Sequence, residues 1–157
     1  MNKDELLNIR EAKPDDVKLI LTLIKELAEY EKLSSSVTAT ESVLKKFLFG
    51  EKRYAEVLIA EYESKPAGYA LYFFNFSTFL GKPGIYLEDI YVRPQYRGKG
   101  IGKALLRRLV KLAKEKNLGR VEWAVLDWNQ SAINFYRSMG AVPMNEWTIF
   151  RLNEDKF

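Results

Sequence analysis

The 157-residue chain contains no cysteine and no histidine. Without cysteine there is no disulfide, no thiolate zinc site and no thiol nucleophile. Without histidine there is no imidazole base, no Ser-His-Asp triad and no imidazole metal ligand. Chemistry must therefore use carboxylates, Tyr, Ser, Lys, water or backbone amides, and no metal site is expected. No apolar run reaches the roughly 18–20 residues that cross a bilayer, so no membrane partner is expected. The opening MNKDELLNIR has no apolar core of a signal peptide, which leads us to expect a cytoplasmic protein.

What is present fits one globular domain, residues 1–157. The chain is 47% apolar and 29% charged, near ordinary globular values. Leu6–Ala12 reads as a strand. Pro14 opens a helix, with Asp15 and Asp16 where the helix dipole favours acids. Val17, Ile20, Leu21, Ile24, Leu27 and Ala28 carry its apolar stripe to Tyr30. Thr38 or Thr40 caps a second helix bearing Val43, Leu44, Phe47 and Leu48. Tyr54–Tyr62, Tyr69–Phe76 and Ile85–Val92 read as strands joined by turns at Lys65–Gly68 and Gly81–Gly84. A helix over about Gly100–Lys116 follows, then a strand Arg120–Leu126 and a helix over about Asn129–Ser138. Strand material at Ala141–Met144 and Trp147–Leu152 closes the chain. The expected class is α/β (α+β): a mixed, mostly antiparallel sheet flanked by helices.

The segment Val92–Lys103 reads VRPQYRGKGIGK. Pro94 ends a strand, and Gly98, Gly100 and Gly102 precede an amphipathic helix with Ile101, Leu105, Leu109 and Leu112 on its apolar stripe. Glycines let a backbone approach a ligand, and the free N–H groups of a helix start favour an anion such as phosphate. The ATP-loop pattern G-x-x-x-x-G-K-[ST] fails, because Lys103 stands five residues after Gly98. The dinucleotide pattern G-x-G-x-x-G fails as well, because Lys103 stands three after Gly100. The spacing present is Arg97-x-x-Gly100-x-Gly102. It resembles the R/Q-x-x-G-x-G/A signature of the GNAT N-acetyltransferase superfamily, whose backbone amides hold the pyrophosphate of acetyl-CoA. A Gly-rich turn that only packs tightly is the structural alternative.

The net charge of +4 hides a strong division. Arg97–Arg120 holds nine Lys/Arg and one acid, Glu115, a net +8. The remainder, with 16 basic and 20 acidic residues, is −4. Such a run serves as a solvated helix face, attracts an anionic cofactor, or binds nucleic acid. Aromatics are sparse within it, which disfavours a single-strand stacking platform, and no nucleic-acid partner is expected.

Three further stretches narrow the likeness: LIKELAEYEK (Leu23–Lys32), YLEDIYV (Tyr86–Val92) and WNQSAINFYRSMGA (Trp128–Ala141). With YRGKGIG they resemble the spermidine/spermine (diamine) acetyltransferase branch, including its thialysine-acetylating relatives, over nearly the whole chain. The resemblance implies acetyl-CoA as cosubstrate, a small amine as substrate and a homodimer. It implies that the backbone of Ile90, Tyr91 and Val92 pairs with the pantetheine arm like an added strand. Arg97, Gly98, Lys99, Gly100, Ile101, Gly102 and Lys103 would hold the pyrophosphate. Asn129, Gln130, Ser131 and Ala132 would line the cofactor near its thioester. Tyr136 would be the acid that protonates the leaving thiolate. Tyr30, Glu31, Glu88, Asp89, Glu122, Trp123, Ala124 and Glu146 would line the amine channel. The stretch between Gly140 and Trp147 is shorter than in the animal enzymes of the branch.

The residue chemistry agrees with that implication. Attack on a thioester needs a neutral amine and a protonated leaving group. A tyrosine of pKa about 10 can protonate a thiolate whose conjugate acid lies near 8.5. A primary ammonium of pKa about 10.4 is neutral in only about one part in 10³ at pH 7, so its deprotonation needs help. Glu88, acting through water, is the candidate base. The absence of Cys excludes an acyl-cysteine and favours direct attack in a ternary complex. Bland roles compete: Tyr136 as core, Asn129 and Ser131 as helix caps, Glu31 as an ordinary helix-end acid, Trp123 as packing. An acetyltransferase acting on proteins or peptides is the alternative within the same fold.

Overall fold

The computed structural model describes residues 6–157. The chain divides into two compact units, Met1–Ala124 and Val125–Phe157. Among the described residues the first carries five strands and three α-helices. Its strands are β1 (Leu7–Glu11), β2 (Glu56–Tyr62), β3 (Lys65–Ser77), β4 (Lys82–Val92) and β5 (Val121–Glu122). Its helices are α1 (Val17–Tyr30), α2 (Glu41–Phe49) and α3 (Ile101–Glu115). The sheet order is β1-β2-β3-β4-β5. All neighbours are antiparallel except β4 and β5, which are parallel. The mixed, mostly antiparallel sheet expected from the sequence is the one observed.

Alternation along the strands sends side chains to both faces of the sheet. Val57, Ile59, Tyr69 and Tyr91 form one buried cluster with Ile20, Leu23 and Leu27 of α1 and Leu48 of α2. The helix α3 packs against β2, β3, β4 and β5, burying Ile101, Leu105, Leu106, Leu109 and Ala113 along its stripe. Thr40, not Thr38, caps α2, its Oγ1 accepting from the Val43 N–H at 3.3 Å. Ahead of α1, Pro14–Asp16 forms a 3-10 turn rather than the first α-turn. Arg10 of β1 ties that turn down: its guanidinium donates to both carboxylate oxygens of Asp16, at 2.7 and 2.9 Å, and to Glu61 at 2.8 Å. The guanidinium holds both carboxyls below their ordinary pKa values.

Both expected hairpin turns lie elsewhere. Lys65–Gly68 is strand, and the β2–β3 reversal is made by Glu63 and Ser64 at φ 51° and 61°. Pro66 is tolerated because Ala67 is an extra residue where the β2–β3 register shifts. Gly68 is needed for closeness instead of turning: a Cβ there would strike the Tyr91 carbonyl oxygen of β4. Gly68→Ala should therefore cost about 1–3 kcal/mol of stability, read as a lower urea midpoint. An unchanged midpoint would show that the end of β4 yields freely. At the second hairpin the reversal ends at Gly81, φ 63°, and Lys82–Gly84 already belongs to β4.

The expected strand Arg120–Leu126 contracts to Val121–Glu122. The second unit contains one α-helix, α4 (Gln130–Ser138), and a 3-10 turn at Glu154–Lys156. Ala141–Met144 and Trp147–Leu152 are not strands. Their apolar pattern suits a sheet, but a strand is defined by hydrogen bonds to a neighbour, and no ladder among the described residues includes them. Val142, Trp147, Ile149 and Phe150 are consequently exposed. No helix among the described residues is long and apolar enough to cross a membrane.

Candidate active site

The β4 strand organises the site in the first unit. Its C-terminal residues pair with β3 on one side, Ile90 with Ala70, Tyr91 with Tyr69 and Val92 with Gly68. On the other side β5 pairs only with Ile85 and Tyr86. From Leu87 to Val92 that second edge carries no strand among the described residues. An edge of this kind can accept an extended amide-bearing chain. The β3–β4 register shifts by one residue, Leu71 facing Asp89 and Tyr72 facing Leu87. Glu88 is thus the inserted residue of a β-bulge, which bends the strand and leaves backbone groups outside the ladder. The bulge also breaks the simple alternation of Glu88 and Asp89 to opposite faces that a regular strand would impose.

After β4 the chain turns through Pro94–Tyr96 into the glycine loop. Gly98 and Gly100 have φ of 74° and 83°, a left-handed conformation that side-chain-bearing residues resist, and space beside both is open. Gly100 is the N-cap of α3 and offers no side-chain cap, so the orphan amides of Ile101, Gly102 and Lys103 await another acceptor. This cradle fits a pyrophosphate. The side chain of Arg97 does not extend into open space. Its Nε donates to the Val92 carbonyl at 2.9 Å, and its guanidinium lies 4.7 Å from the ring centre of Tyr30 and 5.8 Å from that of Tyr91. Lys99 sits 4.9 Å over the Tyr62 ring.

The end of α1 supplies the opposing wall. Arg93, next to Val92, grips Glu26 of α1 through two hydrogen bonds of 2.8 and 3.0 Å and also donates to the Pro66 carbonyl at 3.0 Å. That clamp fixes the helix against the strand ends and was not evident in the sequence. Tyr30 is the last residue of α1 and Glu31 its C-cap. Burial, and secondarily the charge of Asp89, push the Glu31 carboxyl up. Asp89 accepts from the Tyr69 phenol at 2.8 Å. Burial raises the Asp89 carboxyl, against the lowering effect of that hydrogen bond. Glu31 and Asp89 are therefore brought together, while Glu88 is exposed at the bulge. Glu122 has a different setting: it pairs with Arg120 at 2.9 Å and accepts from Asn75 at 3.3 Å. Trp123 and Ala124 follow it at the end of the first unit.

The second unit holds the remaining expected residues. Asn129 caps α4, its Oδ1 accepting from the Ala132 N–H at 3.2 Å. Gln130 donates to Asn134 at 2.8 Å, and Ser131 is exposed on the first turn. Tyr136 lies half-buried on α4, its ring 5.4 Å from that of Phe135. Glu146 is exposed in the segment after α4. Among the described residues, no group of three or more Asp, Glu, His or Cys converges as a metal site would.

An open strand edge and a glycine cradle at a helix start thus follow one another on a mixed, mostly antiparallel sheet. The pattern of the Acetyltransferase (GNAT) family matches residues 20–141. Thialysine N-epsilon-acetyltransferase of Bos taurus is 45% identical, covering 91% of this chain and 90% of that protein. L-ornithine N5-acetyltransferase of Arabidopsis thaliana is 35% identical, covering 94% and 84%. Spermidine/spermine N(1)-acetyltransferase-like protein 1 of Homo sapiens is 36% identical over 97% of this chain but only 23% of its own length. An integron cassette protein from V. cholerae superposes with a TM-score of 0.79 at 26% identity, covering 96% of this chain and 94% of that one. An aminoglycoside acetyltransferase from a soil metagenome shares the fold, with a TM-score of 0.80 at 22% identity over 97% and 99%. The chain belongs to the GNAT acetyltransferase family and is an N-acetyltransferase acting on amines.

Proposed function

We propose that this enzyme acetylates a primary amine of a lysine-like amino acid, such as thialysine, or of a polyamine, by direct attack in a ternary complex with acetyl-CoA. The observation that carries the reading is the Glu31–Asp89 pair beside the open edge of β4 that leads into the glycine cradle. An amine that is cationic in solution needs such an acidic approach, and relatives named for thialysine, ornithine and spermidine/spermine support the class.

Acetyl-CoA supplies the acetyl group as a thioester whose thiolate is the leaving group. The backbone of Ile90, Tyr91 and Val92 binds the extended arm at the free edge of β4. The amides from Gly98 to Lys103 hold the pyrophosphate, with Arg97, Lys99 and Lys103 adding positive charge. Asn129, Gln130, Ser131 and Ala132 line the arm near its reactive end. Tyr30, Glu31, Asp89, Glu122, Trp123, Ala124 and Glu146 line the amine channel. Glu88 takes the ammonium proton through water, which frees the nitrogen lone pair to attack. Tyr136 gives its phenolic proton to the departing sulfur as the C–S bond breaks, and the proton shed by the acetylated nitrogen restores the phenol. The enzyme is a single functional domain, acts as a cytoplasmic homodimer, and needs neither a metal nor nucleic acid.

The deciding experiment mixes the protein with acetyl-CoA and spermidine, spermine, putrescine, thialysine, ornithine or lysine and follows thiol release. Turnover on thialysine or a polyamine is expected. Silence across the panel, with turnover on a peptide amine, would replace this reading by protein acetylation.

A further inference from the structure

Tyr69 is fully buried beneath α1, in the cluster of Ile20, Leu23, Leu27 and Tyr91. A phenol enclosed by apolar side chains keeps its hydroxyl only if a partner accepts from it. That partner is Asp89 Oδ2, at 2.8 Å. The geometry comes from the ladder: Tyr69 faces Tyr91, and Asp89, two residues earlier on β4, sits diagonally across and directly next to the bulge. Diagonal neighbours of this kind are within reach of an aromatic side chain.

The carboxylate side of the pair is unbalanced. Burial raises the Asp89 carboxyl, the Tyr69 hydrogen bond works against that rise, and the charge of Asp89 in turn raises Glu31. A half-buried carboxylate held by a neutral phenol, with a second carboxylate that feels its charge, favours the arrival of a cation. Placed in a GNAT enzyme, that cation is the substrate ammonium. We propose that Tyr69 is a positioning residue of the amine site, its phenol fixing the Asp89 carboxylate in orientation and in its ionised state beside Glu31.

This inference rests on the amine-acetylating reading but goes past it, to a residue with no contact to either substrate. The groups facing Asp89 are Tyr69 on β3, Glu31 at the end of α1 and the neighbouring Glu88, whose charge also bears on Tyr69. Hydrogen bonding to the charged form lowers a carboxyl pKa, so removing the donor must raise it. With Tyr69→Phe, protonated Asp89 should then persist to higher pH, and an ammonium is held poorly by a neutral acid.

The test compares wild type, Tyr69→Phe, Asp89→Asn and the double variant. Carbon-13 NMR follows the Asp89 carboxyl, and steady-state kinetics with thialysine and spermidine follow kcat/KM against pH. In Tyr69→Phe the Asp89 midpoint should rise, the acid limb of kcat/KM should move up with it, and kcat/KM for the amine near neutral pH should fall about tenfold. Acetyl-CoA affinity should not change. The double variant should be no worse than Asp89→Asn, as expected if Tyr69 acts through Asp89. An unmoved Asp89 midpoint overturns the proposal. So does a loss of activity equal at every pH, which marks a packing role. Should Tyr69→Phe fail to fold, 3-fluorotyrosine placed at position 69 gives the opposite prediction: a stronger donor lowers the Asp89 midpoint, and no movement overturns the proposal. If wild type acetylates none of the amines, the functional reading fails, and the NMR titration still decides the role of Tyr69.

Discussion

Tyr136→Phe should lower kcat about 10²–10⁴-fold, the range that one positioned proton donor contributes, with acetyl-CoA affinity unchanged. The choice of Tyr136 among the nine tyrosines rests on the resemblance, and the chain's composition suits a phenolic donor. With no His and no Cys in the chain, few groups can hand a proton to a departing thiolate near neutral pH. A phenol of pKa about 10 can do so without being ionised beforehand. The substitution removes one oxygen and leaves the ring, so its packing on α4 beside Phe135 is kept. Pre-steady-state and steady-state rates with a saturating amine measure the effect. Turnover within about threefold of wild type would strip Tyr136 of its acid role and hand the proton to water.

The second large effect is expected at the cradle. Gly100→Val should weaken acetyl-CoA binding about 10–100-fold, measured by calorimetry. Gly100 stands at φ 83° with open space around it, so the cost is not a collision. It is backbone strain, about 1–3 kcal/mol for a residue forced into that region and more readily relieved by re-routing the loop. Re-routing moves the first-turn amides of α3, which Gly100 caps without a side chain, and each 1.4 kcal/mol lost there is about tenfold in affinity. Gly81→Val is the control. It carries the same kind of strain, φ 63° in open space, at the β3–β4 hairpin tip. It should lower stability comparably and leave cofactor affinity intact. Equal affinities in the two variants would remove the loop from cofactor binding.

The charge division of the sequence acquires a concrete form in the fold. Arg97 and Lys99, the leading charges of the +8 segment, rest against the rings of Tyr30, Tyr91 and Tyr62. Their guanidinium and ammonium groups are thereby held at the loop. The acidic remainder includes Glu31 and Asp89, close enough for the charge of Asp89 to raise the Glu31 carboxyl.

Some of this was legible from residues alone, because local rules decide it. Periodicity at 3.6 located the four α-helices of the described residues to within a few positions, and the Arg97-x-x-Gly100-x-Gly102 spacing located the glycine turn at the start of α3. Both are properties of a short segment. Turn positions were read less well, because Gly68 and Gly84 looked like turn residues. They are strand residues chosen for close approach, Gly68 to Tyr91 and Gly84 to Asn75 and Arg120. Nothing local distinguishes a glycine that must bend from one that must make room. The closing segment shows the converse: its alternation reads as strand, but pairing is decided by a neighbour.

The sequence by itself determined the family, the described helices, the glycine loop and the exclusion of thiol and imidazole chemistry, since each depends on residue identity or near spacing. Only the tertiary structure decided the inserted Glu88, the Arg93–Glu26 clamp, the Tyr69–Asp89 bond and the meeting of Glu31 with Asp89. These join residues between 20 and 67 positions apart. Their coupling is set by strand register and by the angle at which α1 crosses the sheet. A one-residue shift in the β3–β4 register, invisible in composition or periodicity, would separate Tyr69 from Asp89.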